Sequence, residues 1–250
     1  MSEPGSLLRS LSGKPAARNF HTFVINEIGT AIVSGRFPVG SILPSDAEMM
    51  SSYNVSRTVV REALRTLEAK GMVEARPKVG TRVSHRSRWN LFDPQLLAWH
   101  FDADLAPAFV EGLFDVRRSL EARAADLASR HRTAEHVRML KYWAHEMELT
   151  QGEAESHALA ALEIHRIIAD ASGNPLLRSA LGLVELTLAL AAVAGTAEAR
   201  TRLRAAQTEA SQILVAQIET GEMAAAVTAA DRLLEIEQAH ALAGDTGGGR

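Results

Sequence analysis

The 250-residue sequence contains no cysteine and few aromatic residues, namely 3 Trp, 2 Tyr and 7 Phe. The absence of cysteine excludes disulfides, thiolate metal sites and cysteine nucleophiles, and it fits a reducing compartment. The longest apolar stretch, 181–194, is interrupted by Glu185 and falls short of the roughly 20 apolar residues that span a bilayer. The N-terminus also lacks an apolar signal core. We therefore expect a soluble cytoplasmic protein with no membrane partner.

Charge is distributed unevenly along the chain, although the net charge is only −3. Residues 1–90 contain 13 Lys and Arg against 7 Asp and Glu, or +6, whereas residues 91–250 carry −9. A basic segment joined to an acidic one is typical of a polyanion-binding module beside a domain that does not bind polyanions. Charge alone leaves a chance asymmetry open.

Local signals in the first 85 residues predict a helix-turn-helix followed by a β-hairpin. Apolar residues recur at helical spacing from Phe20 until Gly35, and Ser45 begins a short helix with capping-box spacing. A second cap, Ser56, begins a longer helix that ends at Gly71.

The periodicity then changes from helical to extended. Residues 72–75 and 81–84 predict two short strands around a basic tip. Lys78 at this tip is placed to contact a minor groove or the DNA backbone, and Gly80 permits close approach of the main chain.

The predicted helix 56–70 has one apolar face and one basic face. At about 100° per residue, one sector contains four polar residues: Arg57, Thr58, Arg61 and Arg65. An arginine can pair with guanine or bind a phosphate, a threonine can contact a thymine methyl, and the helix N-terminus donates amides to phosphate. A solvated face with salt bridges to Glu62 and Glu68 is the alternative.

Strings within these elements resemble the GntR family of bacterial regulators. They are Ile32 to Arg36, Gly40, Leu43 to Ser45, Val55 to Leu64, Leu67, Gly71 and Gly80. The resemblance implies a winged helix that binds a palindromic operator as a homodimer, with DNA contacts from Arg57, Thr58 and Arg61. We add five residues to this candidate interface: Arg36, Ser56, Arg65, Lys78 and Gly80. Relatives that bind fatty acyl-CoA carry a DNA-contacting arginine where this chain has Ala47, so that contact is not assumed.

From residue 93 onward the sequence predicts helices and no convincing strand. The predicted helices are 93–101, 107–130, 134–149, 154–171, 175–193, 198–220 and 222–242. We therefore predict a mainly α protein, in which a winged helix-turn-helix of three helices plus a β-hairpin wing precedes an all-α antiparallel bundle. The predicted divisions are a flexible tail (1–18), a DNA-binding domain (19–85), a linker with a linker helix (86–104), an effector-binding and dimerisation domain (105–243) and a second flexible tail (244–250).

The helical part resembles the FCD effector domain of the FadR subfamily, through the strings Val116 to Glu121 and Ala171 to Leu176. Such domains usually bind a small carboxylate, often through a metal held by an aspartate and three histidines. Only His165 matches that set here, and the other positions are Ala161, Ser211 and Leu233. Because metal sites typically use three or four ligands, we expect no metal cofactor.

Without a metal, a fixed cation should receive the carboxylate of the effector, and Arg117 is the best candidate. An ion pair of Arg117 with Asp115 or Glu121 is the alternative. His165 could hydrogen-bond the ligand or be a satisfied interior histidine. Asn174 could reach into the same pocket or act only as a helix cap.

The junction 86–99 resembles that of the galactonate-operon repressor subgroup, which suggests a sugar acid as effector. Its apolar residues are expected to hold the two domains together: Trp89, Phe92, Leu96 and Trp99.

These observations predict a homodimeric repressor, not an enzyme, that a small carboxylate such as a sugar acid releases from operator DNA. An activator, or a regulator of fatty-acid or other organic-acid metabolism with a different or no effector, remains an alternative. A catalytic bundle is disfavoured, because its acidic and histidine residues form no spaced catalytic set. An architectural DNA-binding protein would bind with little sequence preference.

Overall fold

A computed structural model describes residues 5–10, 20–103 and 105–243. Contacts divide the chain into two compact units, which are described separately. The winged unit comprises the described part of Pro15–Leu105, and the bundle unit comprises that of Met1–Lys14 and Ala106–Arg250. In the described ranges, no helix has the length and apolar character needed to cross a membrane.

The winged unit contains four α-helices and one antiparallel hairpin. They are α2 (Phe20–Val33), α3 (Asp46–Tyr53), α4 (Arg57–Ala69), β1 (Val73–Arg76), β2 (Gly80–Val83) and α5 (Pro94–Phe101). The bundle unit contains the remaining described helices. They are α1 (Ser6–Ser10), α6 (Pro107–His131), α7 (Ala134–Leu149), α8 (Ala154–Ala171), α9 (Pro175–Ser179), α10 (Leu181–Val193), α11 (Ala197–Thr220) and α12 (Met223–Ala243).

Side-chain caps fix the beginnings of α3 and α4. The amide of Glu48 donates to Ser45 Oγ at 3.3 Å, and the Glu48 carboxylate accepts from the Ser45 amide at 2.7 Å. Ser56 accepts from the amide of Val59 at 3.4 Å. Between the two helices, Asn54 adopts a left-handed conformation that ends α3 within one residue. The predicted helix-turn-helix and wing are confirmed.

The linker predicted at 86–104 is structurally part of the winged unit. Trp99 is buried, packs on Gly29 of α2, and donates from Nε1 to Asn26 Oδ1 at 3.0 Å. Trp89 is also buried and donates to the carbonyl of Ser84 at 3.1 Å. Trp89, Leu96 and Trp99 therefore belong to the core of this unit rather than to a connecting segment, whereas Phe92 is exposed.

The regular elements in the described part of the bundle unit are all helices, as predicted. The main packing partners are α6 with α12, α11 with α12, and α7 with α8. The single helix predicted at 175–193 is divided into α9 and α10 at Ala180. Gly182 lies two residues after that division, in the first turn of α10, and a glycine weakens a continuous helix.

A short N-terminal helix packs on the bundle. The Leu8 side chain is buried, and the Leu7 amide donates to Glu185 Oε1 of α10 at 2.6 Å. The flexible tail predicted at 1–18 is therefore wrong for Ser6–Ser10. The rest of that tail and the tail predicted at 244–250 lie outside the described residues.

Gly71 should be the less replaceable of two left-handed glycines in the winged unit. Gly35 and Gly71 have φ of +81° and +76°. A Cβ at Gly35 would meet nothing within 4 Å, whereas one at Gly71 would overlap the carbonyl oxygen of Arg88. We expect Gly35→Ala to lower the free energy of unfolding by about 1–2 kcal/mol through backbone strain alone, and Gly71→Ala to lower it by clearly more. Urea denaturation of both variants measures the difference, and equal losses would contradict the packing at Gly71.

Candidate functional site

The first candidate site is the exposed face of α4. Its core-facing residues Val60, Ala63 and Leu67 are buried in the winged unit. On the opposite side, the residues predicted to contact DNA are exposed: Ser56, Arg57, Thr58, Arg61 and Arg65. The exposed face of α4 follows from the sequence because helical periodicity alone decides which face packs.

Acidic neighbours distinguish the arginines of this face. Nε of Arg61 lies 3.5 Å from Asp46 Oδ2 at the start of α3, and the Arg61 side chain is 66% exposed. Arg65 instead donates to Glu62 at 2.5 Å, which is one of the salt bridges that the alternative interpretation expected. Arg57 and Arg61 in the first turns of α4 are therefore both exposed to a partner.

The wing presents Lys78 at its tip. Arg76 and Arg88 both donate to the carboxylate of Glu74, at 2.7 and 2.6 Å, which offsets one of their two positive charges. Lys78 is exposed and has a positive φ of 63° at the turn between β1 and β2. Gly80 is exposed beside it.

Two loop contacts complete the surface around the wing. Arg82 donates to the Gly40 carbonyl at 2.8 Å, which joins β2 to the loop after α2. Arg36 lies exposed in that loop. The geometry therefore combines an accessible helix N-terminus, exposed guanidinium groups and a basic tip, a combination suited to phosphate and base contacts.

The second candidate site is a buried polar cluster centred on Arg117 of α6. Its side chain is 0% exposed, and its Nε lies 3.3 Å from Glu121 Oε1 one turn later. Nη1 contacts the Glu237 carboxylate of α12 and donates to Thr187 Oγ1 of α10 at 2.9 Å. Gln207 of α11 donates to the other oxygen of Glu237 at 2.9 Å. Side chains of four helices, α6, α10, α11 and α12, thus form the cluster around one guanidinium.

His165 of α8 belongs to the same cluster. Its Nε2 lies 3.0 Å from Arg117 Nη2, and its Nδ1 lies 2.8 Å from Glu121 Oε1. Because a guanidinium can only donate hydrogen bonds, Nε2 must accept, and the proton of the neutral imidazole lies on Nδ1.

The charges of the cluster stabilise one another. Burial by itself would raise the pKa of the Glu121 carboxyl. The Arg117 guanidinium and His165 have a larger, opposite effect and lower this pKa to about 2. Burial lowers the pKa of Arg117, and the two carboxylates outweigh that effect and raise it. Despite these short distances, Arg117 Nε and Glu121 Oε1 have no partner in hydrogen-bond geometry among the described residues.

A small cavity, here called the bundle cavity, adjoins this cluster. Its volume is about 30 Å³, enough for one or two water molecules. Its polar lining consists of Arg117, Glu121 and His165, and its remaining lining is apolar: Leu120, Ala124, Ala125, Ile168, Ala169, Leu177, Ala180, Leu181, Leu183, Val184, Leu214 and Ala230.

The structure brings together two of the three residues predicted to bind an effector. Arg117 and His165 share the cavity, whereas Asn174 does not line it and accepts from the Leu176 amide at 3.0 Å as the cap of α9. Of the two alternative partners of Arg117, Glu121 forms the ion pair. Glu237 was not predicted from the sequence, because it lies 120 residues away from Arg117 and carries no local signal.

The residues around His165 do not fit a metal ion. The described residues contain no group of three or more histidine, cysteine, aspartate or glutamate side chains that could hold one. The lone pair of His165 Nε2 faces a guanidinium, so a dication bound there would lie beside another positive charge.

Comparisons with known proteins match both units. Residues 21–83 match the family of bacterial regulatory proteins named gntR, and residues 112–236 match the FCD domain. The chain belongs to the GntR family. It is a DNA-binding transcription regulator with an FCD domain, and not an enzyme.

Several relatives carry descriptive names. The regulator YieP of Escherichia coli is 34% identical over 66% of this chain and 72% of its own. The galactonate operon transcriptional repressor of Escherichia coli is 28% identical over 62% and 68%. The repressor NanR of Salmonella newport is 32% identical over 69% and 66%. Among solved structures, Lar, described as controlling the Listeria monocytogenes agr system, shares the fold with a TM-score of 0.64 and 15% identity over 91% of this chain and 98% of its own.

Replacing Arg117 should destabilise the protein, because its two buried carboxylate partners would lose their cation. Arg117→Met leaves two carboxylates without their cation, and we expect it to lower the free energy of unfolding by about 3–5 kcal/mol at pH 7.5. This loss of stability should be smaller at pH 5. Without the cation, the pKa values of the two buried carboxyls rise, so at lower pH these groups bind protons in the folded state and fewer charges are buried.

Arg118→Met is the matched control. Arg118 is the next residue of α6, is partly exposed, and contacts Asp231 and Gln238 near the surface. Its loss should be about 1 kcal/mol or less. Chemical denaturation at the two pH values measures both variants, and equal losses for Arg117 and Arg118 would contradict the central role of the cluster.

Proposed function

We propose that this protein is a homodimeric cytoplasmic repressor that binds a palindromic operator and leaves it when a small effector occupies the bundle cavity. The observation that carries the proposal is that the two candidate sites lie in different units of the chain. Exposed arginines on α4 and a basic wing lie in one unit, whereas a cavity with a charged polar lining lies in the other.

On the DNA side, Arg57, Thr58 and Arg61 contact base edges and phosphates in the major groove. Side chains at the start of a helix enter that groove readily, and an arginine pairs with guanine through two donors. The remaining candidate residues position the protein on the backbone or near the minor groove: Arg36, Ser56, Arg65, Lys78 and Gly80. Asp46 lies beside Nε of Arg61 and leaves the terminal nitrogens of that side chain for DNA.

On the effector side, two relatives support the finer proposal. The names of the galactonate operon repressor and of NanR describe repressors, and the first name points to a sugar acid as the signal. Arg117 and His165 line the cavity that would receive it. We propose that no metal takes part in effector binding. The lone pair of His165 Nε2, which would have to bind the metal, already faces the guanidinium of Arg117.

Arg61→Ala should lower affinity for a selected operator by about 1–3 kcal/mol and relax the sequence preference at one position of each half-site. The operator is obtained by selection from random duplexes, and its affinity is compared with that for unrelated DNA. Lys78→Ala should weaken both kinds of DNA similarly and reduce the salt slope by about one.

Arg138→Ala serves as the control for these variants. Arg138 is an exposed arginine of α7 that pairs with Glu135 three residues earlier, as Arg65 pairs with Glu62. It should leave operator binding unchanged. Unaltered operator affinity in Arg61→Ala would show that the assigned interface is wrong.

A further inference from the structure

We propose that the bundle cavity binds hydroxyl groups of its ligand through Glu121, Arg117 and His165, and that it does not bind a carboxylate at Arg117. The inference rests on the proposed function in one respect, namely that an effector occupies this cavity. It specifies which chemical groups the cavity recognises.

The charge of the cluster excludes a further anion. One guanidinium already contacts two carboxylates, those of Glu121 and Glu237. A ligand carboxylate that approached Arg117 Nε would also approach Glu121 Oε1, which lies 3.3 Å from that nitrogen. Two carboxylates so close in a largely apolar cavity repel each other strongly, because little water screens them.

The hydrogen-bonding capacity of the cluster points to a hydroxyl. Arg117 Nε is a buried donor whose nearest acceptor, Glu121 Oε1, lies 3.3 Å away without hydrogen-bond geometry. Glu121 Oε1 lies 2.8 Å from His165 Nδ1, and a carboxylate oxygen can accept a further hydrogen bond. A hydroxyl group donates and accepts at once, so a single ligand oxygen satisfies both atoms. A carboxylate would satisfy only the donor, and an ammonium group only the acceptor.

The walls of the cavity fit the rest of such a ligand. Apart from the three polar side chains, the lining consists of aliphatic residues that suit the carbon skeleton of a polyol. At about 30 Å³ the cavity holds little more than one hydroxymethyl group, so a larger ligand must widen it. The five-residue helix α9 contributes Leu177 to the wall and is the shortest element there, and we expect it to move.

The test compares three six-carbon probes by isothermal titration calorimetry on the full chain. Galactitol has hydroxyls and no carboxylate, galactonate has both, and hexanoate has a carboxylate and no hydroxyls. We expect galactitol and galactonate to bind with Kd values within about tenfold of each other, and hexanoate not to bind. Other neutral polyols of three to six carbons follow if galactitol is too large. Binding of hexanoate, or no binding by any hydroxylated probe, overturns the proposal.

Glu121→Gln provides a second, opposite readout. The amide keeps the size of the side chain but removes its charge, so galactitol binding should fall at least tenfold while Arg117 becomes available to hexanoate. Glu163→Gln, on the outer side of α8 and paired with Arg166, should bind all probes as the parent does. If Glu121→Gln does not fold, Glu121→Asp, which keeps the charge but withdraws the acceptor, should lose galactitol without gaining hexanoate. Unchanged probe preference in these variants overturns the proposal.

Operator release, measured by fluorescence anisotropy with the same probes, separates this inference from the proposed function. If galactitol binds and Glu121→Gln reverses the preference but no probe releases DNA, the cavity chemistry stands and the effector role fails. If galactonate releases DNA but binds Glu121→Gln and the parent equally, the effector role stands and the hydroxyl assignment is wrong.

Discussion

The burial of Arg117 between Glu121 and Glu237 is the constraint on which the bundle unit depends. A fully buried charge needs partners of opposite charge or hydrogen-bonding partners inside the protein. Here α6 supplies one carboxylate, α12 a second carboxylate, α10 a hydroxyl and α8 an imidazole. Such an ion pair adds little net stability compared with an apolar core, but removing one member leaves an uncompensated charge. The helices are thereby held in one mutual arrangement, with the cavity beside the charged centre.

The winged unit is organised by a different principle. Its interior is apolar and its charges remain outside, where water and salt screen them until a polyanion approaches. Even there, local pairing selects among the basic residues, because Glu74 offsets Arg76 and Arg88 while Lys78 stays exposed at the turn. The same residue type therefore serves opposite purposes in the two units, as an exposed donor on α4 and as a buried structural cation on α6.

Much of the structure of the candidate DNA-binding surface was predictable because its causes are local. The capping contacts join residues only three positions apart, namely Ser45 with Glu48 and Ser56 with the amide of Val59. The spacing of these residues in the sequence therefore predicts each contact directly. The linker was predicted less well. Trp89 and Trp99 were recognised as packing residues, but their hydrogen-bond partners were not predicted. Trp99 bonds to Asn26, which lies 73 residues earlier in the chain, and Trp89 bonds to the nearby Ser84. Hydrophobicity states that a side chain is buried and does not state where.

The sequence by itself determined the family, the two-part organisation and the face of α4 that is exposed, because each follows from spacing, composition or residue identity. Only the tertiary structure decided what Arg117 does. It is not a free cation awaiting a carboxylate but the centre of a cluster with two carboxylates, since Glu237 reaches it from 120 residues away. Periodicity indicates the interior side of a helix, but which helix supplies the opposing charge depends on packing between distant segments.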